Sequence, residues 1–265
     1  YISQFAQSLP KSMVRTVGTS TSCDISLYHH EVSEEGTTFE FAVHSFQEKD
    51  DLILTFQGVV MPLETGFAIG SAILTALALN IPLEAIKNNL LTQFHLPPGR
   101  GTIFKGIQNS TIFDSSYNAS SASVLSFLKL MKSFTEKTRR PTFFVFGDMK
   151  ELGTFSEYEH TQVAKELPAS INHLVLVGPL TKELVLPMVS KYDKKFQTLV
   201  HFATSREAGE YLQKNLPEKS LVSFKGSQLL EEAIKYILIN KNDEKKLCRQ
   251  DIFWEQAKKR NGTWV

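Results

Sequence analysis

Three short loops of this 265-residue chain hold the side chains best suited to chemistry. They are Asp114, Ser115, Ser116, Tyr117, Asn118 and Ala119; then Gly147, Asp148, Met149, Lys150, Glu151, Leu152 and Gly153; then Lys225, Gly226 and Ser227. Taken singly, each reads as ordinary turn chemistry, because Asp, Ser and Asn favour caps and turns, Gly supplies positive φ, and a Lys is commonly solvated. Each loop, however, follows a short apolar run of strand type. If those runs are parallel strands of one sheet, the loops meet beyond the carboxyl ends. Ligands of open α/β sheets bind there, and helix N-termini offer unpaired N–H groups to anions. Three polar loops on one rim therefore outweigh the separate turn readings, although a fold alone does not name the ligand.

The elements that must position these loops are legible as periodicity. Residues 111–113, 142–146, 174–177, 198–202 and 221–224 are apolar runs, and a helical stretch follows each of them. Repeated β then α predicts a mostly parallel, Rossmann-like α/β sheet covered on both faces. Ser156 with Glu159 and Thr204 with Glu207 read as capping boxes at two helix starts. Upstream, residues 25–32, 37–44 and 52–56 alternate apolar and polar, with a turn at Glu35 and Gly36, which predicts an antiparallel meander. Residues 66–80 and 82–91 predict two helices, the second opened by Pro82. Pro97, Pro98, Gly99, Arg100 and Gly101 break both periodicities and mark a hinge. The expected organisation is a first region at 1–97, a hinge at 98–101, the α/β domain at 102–241, and an appendage at 242–265. In that appendage residues 243–260 read as one charged helix carrying Leu247, Phe253 and Trp254, packed on the domain rather than forming a site.

Composition excludes several classes. Twenty-nine basic against twenty-eight acidic residues leave a net charge of +1, which offers no footprint for nucleic acid. The longest apolar run, 68–79, is too short to span a bilayer, and no signal-peptide pattern opens the chain. Cys23 and Cys248 are far apart, with no partner at metal-ligand spacing, so they read as reduced structural thiols. The expectation is a cytoplasmic, monomeric protein with no nucleic-acid or membrane partner and no metal ligands of its own.

In order along the chain, Pro98-Gly99-Arg100-Gly101, Phe113-Asp114-Ser115-Ser116-Tyr117-Asn118-Ala119, Gly147-Asp148-Met149-Lys150-Glu151-Leu152-Gly153 with His160 after it, and Lys225-Gly226-Ser227 resemble the motifs of the Mur ligase family. The GDMxELG stretch followed by His points to the branch that adds D-alanyl-D-alanine. The resemblance spans nearly the whole chain. It implies that residues up to about Leu96 are the later part of a central ATPase domain and that the rest is the C-terminal Rossmann-like domain. It also implies a ligase of peptidoglycan synthesis that uses ATP and Mg2+. Such an enzyme phosphorylates a carboxylate of UDP-N-acetylmuramoyl-tripeptide and lets the amine of D-alanyl-D-alanine attack the acyl phosphate. Under this resemblance Arg100 is the catalytic phosphate contact, since a planar guanidinium suits phosphate oxygens. Asp114, Tyr117 and Asn118 face the nucleotide, while Asp148, Met149, Leu152, Lys225 and Ser227 line the side of the incoming dipeptide. His160 reads as structural, on an exposed helix.

The departures from the family pattern fall on nucleotide contacts. No Gly-Lys-Thr phosphate loop is present, nor are the acidic and lysine residues that hold magnesium. Phe67, Ala68 and Ser71 stand where the family carries Asn and His contacts to adenine, Ser115 stands in place of a second acid, and Gln228 in place of an Arg. The chain by itself is therefore expected not to cleave ATP. Two readings stay open at this level: a ligase whose phosphate loop lies upstream of Tyr1, and a ligase-derived, non-catalytic binding protein that has lost its nucleotide chemistry.

Overall fold

The structure is a computed structural model that describes residues 8–10, 13–44, 51–167, 171–191, 196–227 and 229–261, with side chains to 256. It divides into two compact units, one formed by Tyr1–Gln57 with Met61–His95, the other by Gly58–Val60 with Leu96–Val265. Gln228 lies outside the described residues.

In the first unit, β1 (Val17–Gly18), β2 (Ile25–Val32), β3 (Gly36–Val43) and β4 (Asp51–Gln57) form a sheet in that order. β2, β3 and β4 are antiparallel, as their alternation predicts, and β1 pairs parallel with β2. The period of two is visible in burial: Leu52, Leu54 and Phe56 of β4 point inward, and the residues between them outward. Two helices follow, α1 (Leu63–Ala78) and α2 (Leu83–Gln93), with Pro62 and Pro82 at their N-caps. Ile69, Ile73, Leu74 and Leu77 form the buried stripe of α1, the spacing that an amphipathic helix needs to cover a sheet.

The second unit is built on six strands: β5 (Thr102–Lys105), β6 (Thr111–Ser115), β7 (Thr142–Gly147), β8 (His173–Val177), β9 (Thr198–Phe202) and β10 (Leu221–Lys225). Their order across the sheet is β5-β6-β10-β7-β8-β9. All neighbours pair in parallel except the edge strand β5, which runs antiparallel to β6. The helices are α3 (Ser121–Thr138) between β6 and β7, α4 (Ser156–Glu166) after β7, α5 (Leu186–Lys191) after β8, α6 (Ser205–Asn215) after β9 and α7 (Glu231–Ile234) after β10.

Every residue of β7 is buried, the signature of a central parallel strand covered on both faces. Phe143 and Val145 join a core with Ala208, Leu212, Ala233 and Ile234 of α6 and α7. Phe144 and Phe146, the alternate residues, point to the opposite face of the strand and are fully buried. Each such phenylalanine contributes about 2 kcal/mol of transfer free energy to the sandwich.

Two local expectations are corrected. Thr204 and Glu207 do form a reciprocal capping box at α6, but Ser156 does not cap α4. A 3-10 turn, Gly153–Phe155, precedes it and leaves Ser156 already helical, with no capping bond from a side chain at that terminus. Its partner Glu159 instead accepts from the backbone N–H of Ser121, at the start of α3. Residues 243–260 are not one helix. A 3-10 segment, Lys241–Lys246, ends at Leu247, Arg249 adopts φ 58°, and a separate helix, α8 (Ile252–Asn261), follows. The left-handed residue interrupts the helical run, since a non-glycine residue in that conformation does not continue a right-handed helix.

Candidate functional site

The chain passes from β6 over to β7, continues outward through β8 and β9, and returns to place β10 between β6 and β7. The connections leaving β7 and β10 therefore run in opposite directions, so a crevice opens at their carboxyl ends, the topological switch point of an open α/β sheet. Asp114 and Ser115 end β6, Lys225 ends β10 and Gly147 ends β7. The three loops singled out in the sequence do converge. The approach is close enough to require glycine: a Cβ on Gly226 would lie 2.8 Å from the Cα of Gly147.

At the β6 end, Asp114 is wholly buried. Its Oδ1 accepts from the backbone N–H of Ser116 at 3.0 Å and from the Ser116 hydroxyl at 2.6 Å, while Oδ2 has no hydrogen-bond partner. Burial raises its pKa above the usual carboxylate value, against the opposing pull of the Ser116 bonds, Arg249 and Lys225. Asp114 therefore shapes the loop from beneath. Lys225 is also buried, and its Nζ donates to the Asn118 carbonyl at 2.8 Å and to the Ser115 hydroxyl at 3.4 Å. Burial, with Arg100 adding to it, pushes its pKa down to about 8.

At the β7 end, Asp148 has its Oδ1 on the backbone N–H of Thr181 at 2.8 Å and its Oδ2 3.4 Å from Lys150 Nζ. Its carbonyl accepts from the Ser227 hydroxyl at 2.7 Å, and the same hydroxyl receives the Lys150 N–H at 3.2 Å. Ser227 thus ties the β10 loop to the β7 loop. Met149 is placed differently from the sequence expectation: its side chain is fully buried, so it supports the loop and does not line it. Leu152 is half-buried at the loop's far end.

His160 is buried as well, not exposed as the sequence suggested. Its Nε2 accepts from the Met149 backbone N–H at 3.0 Å, and its Nδ1 donates to the Ser156 carbonyl at 2.7 Å. A carbonyl can only accept and an N–H can only donate, so these two bonds fix the neutral Nδ1–H tautomer. Burial holds the pKa of His160 below the usual value.

Arg100 and Tyr117 are exposed, and the Arg100 guanidinium lies 4.6 Å from the centre of the Tyr117 ring. Tyr117, Asn118, Lys150, Glu151, Ser227, Arg249 and Trp254 enclose an open cleft of about 180 Å3. Arg249 and Trp254 were missed by the sequence reading, which set the last segment aside as packing. No motif marks them: Arg249 lies in the break between the 3-10 segment and α8, and Trp254 lies in α8. Among the described residues no group of three or more His, Cys, Asp or Glu side chains is placed to hold a metal ion.

The family model described as Mur ligase, glutamate ligase domain matches residues 99–228. Among solved structures, MurF from Acinetobacter baumannii is 25% identical with a TM-score of 0.62, over 81% of this chain and 45% of that one. MurF ligase from Thermotoga maritima in complex with ADP is 18% identical with a TM-score of 0.61, over 92% of this chain and 49% of that one. The UDP-N-acetylmuramate-alanine ligase MurC from Thermotoga maritima is 14% identical with a TM-score of 0.60, over 84% and 46%. The two Thermotoga structures share the fold at identities too low to carry function. No curated protein matches the chain, and it spans about half the length of these solved structures. Within the described residues, no helix is long and apolar enough to cross a membrane. Residues 99–228, with the loops of the switch point inside them, match the C-terminal domain of the Mur ligase family.

Proposed function

We propose that this chain carries the acceptor side of an ATP-dependent amide ligase that adds D-alanyl-D-alanine to UDP-N-acetylmuramoyl-tripeptide in peptidoglycan synthesis. The observation that carries the reading is the convergence of the β6, β7 and β10 loops at one crevice, within a fold shared with MurF. In the reaction, the γ-phosphoryl of ATP passes to a carboxylate oxygen of the nucleotide-peptide and ADP leaves. The dipeptide amine then attacks the acyl carbon, and inorganic phosphate departs with the carboxylate oxygen. Negative charge spreads over the phosphoryl oxygens in the first step, where fixed cations are most effective. Arg100, at the exposed rim, is the residue of this chain for that task. Lys225, Ser227 and the Asp148–Leu152 loop form the wall that holds the dipeptide, with Tyr117 and Asn118 on the nucleotide side; Asp114, expected from sequence to face the nucleotide, is fully buried and only shapes the loop that carries them.

The test is ligation by a polypeptide in which this chain is completed by a phosphate-loop half. ADP should accumulate over repeated turnovers only when nucleotide-peptide and D-alanyl-D-alanine are both present. Arg100→Lys keeps the charge but loses the planar fork, so kcat should fall about a hundredfold with little change in KM. ADP formation indifferent to the dipeptide would contradict the proposal. A non-catalytic reading draws on a different observation: the Ser71 hydroxyl is spent on the Phe67 carbonyl of its own helix, at the position where the family meets adenine. Calorimetric titration of the completed polypeptide with Mg-ATP separates the two, because micromolar affinity, about −8 kcal/mol, would argue against loss of nucleotide chemistry.

A further inference from the structure

The segment beyond the family match contributes a group that the motif loops cannot supply for themselves. Arg249 and Glu231 form an ion pair at 3.0 Å, with side chains 7% and 0% exposed. From that anchor the Arg249 guanidinium donates to the backbone carbonyl of Tyr117 and reaches the Ser116 carbonyl at 3.5 Å. It also stands 5.3 Å from the centre of the Tyr117 ring and 5.2 Å from that of Trp254. Tyr117 therefore carries one guanidinium contact from Arg249 and another from Arg100, at 4.6 Å. The hinge motif is held at the same point. Gly99 accepts from the Tyr117 N–H at 3.0 Å, and a Cβ on Gly99 would press to 3.0 Å on that nitrogen and 3.1 Å on the Cys248 sulfur. Three pieces of chain distant in sequence thus meet around Tyr117.

We infer that Arg249 is a positioning residue for the proposed reaction: anchored by Glu231, it fixes the Ser116–Tyr117 backbone and so the ring on which Arg100 rests. A flexible arginine at an exposed rim loses conformational freedom when it is fixed, and that cost is met beforehand if its platform is already rigid. The planar fork of arginine is suited to holding one carboxylate and two carbonyls at once, which a lysine cannot reproduce. The inference rests on the ligase reading for its catalytic consequence, but its structural half stands apart from that reading.

The test uses the whole chain and the Nε–H resonance of Arg100, which a stacked aromatic ring displaces from its unstacked position. Arg249→Met alone would leave a buried carboxylate uncompensated and could unfold the domain. The informative variant is Arg249→Met with Glu231→Met, which removes both charges together. It should melt as cooperatively as a wild type measured alongside it, while the Arg100 resonance moves to its unstacked position. In the completed ligase the same variant should lower kcat at least tenfold with KM for ATP unchanged. Arg249→Lys, which keeps the charge opposite Glu231, should fold without restoring the resonance, and it decides the matter if the double variant does not fold. A wild-type Arg100 resonance in the folded double variant, or in Arg249→Lys, would overturn the inference. A wild-type ligase without activity would instead remove the proposed function and leave the resonance experiment standing.

Discussion

Two buried titratable residues of the candidate site make the same demand on pH in two different windows. His160 is neutral in the fold, with both ring nitrogens committed to backbone groups, and burial lowers its pKa. The unfolded chain therefore binds a proton more readily below about pH 6.5, and stability should fall as the pH drops through and below that value. His160→Ala removes the acceptor of a buried N–H and should cost roughly 2 to 3 kcal/mol. It should also flatten the acid slope in urea titrations run at several pH values, and an unchanged slope would show that His160 does not carry it. Lys225 works in the same direction at higher pH. Its pKa falls from 10.5 to about 8 in the fold, so the unfolded chain binds more protons between those values and stability should rise with pH across that window. The rise should be on the order of 3 kcal/mol. Cys248, raised to about 12 from 9.0, acts in the opposite direction above pH 9. The comparison is therefore wild type against Lys225→Met, which should lack the rise from pH 8 to 9.

At the scale of elements, the strands leading to the site were legible because each is a continuous apolar run, as full burial in a parallel sheet requires. β5 escaped, being four residues long at an antiparallel edge. The two capping boxes read from sequence fared unequally, since Ser156 lies inside helical geometry prolonged by the 3-10 turn, whereas Thr204 has extended backbone and accepts from Glu207. Thr204→Ala should therefore cost about 1 kcal/mol in a denaturant melt and Ser156→Ala clearly less. Equal costs would mean that the sequence pattern, and not the backbone at the cap, sets the energy. Gly226 serves the site more directly. A methyl group there meets the Gly147 backbone at 2.8 Å, so Gly226→Ala must separate the β7 and β10 loops or strain them. A loss of about 1 to 3 kcal/mol is expected, with changes centred on Asp148 and Ser227.

At the scale of the molecule, the residues that carried family motifs were found in sequence and come together at the rim. Arg249, Glu231 and Trp254 were not, because Arg249 acts on carbonyls more than a hundred positions away, and Glu231 and Trp254 enter the site only through Arg249. Met149 shows the converse: a motif residue whose side chain turns out to face the core. The central claim, that the crevice at the β7 and β10 ends receives the dipeptide, is tested most directly by titrating this chain with D-alanyl-D-alanine and following backbone amide resonances. Affinity in the millimolar range, about −4 kcal/mol, is expected, with shifts concentrated at residues 148–152 and 225–227 and none from L-alanyl-L-alanine. Equal shifts from both stereoisomers, or none at those loops, would contradict the claim.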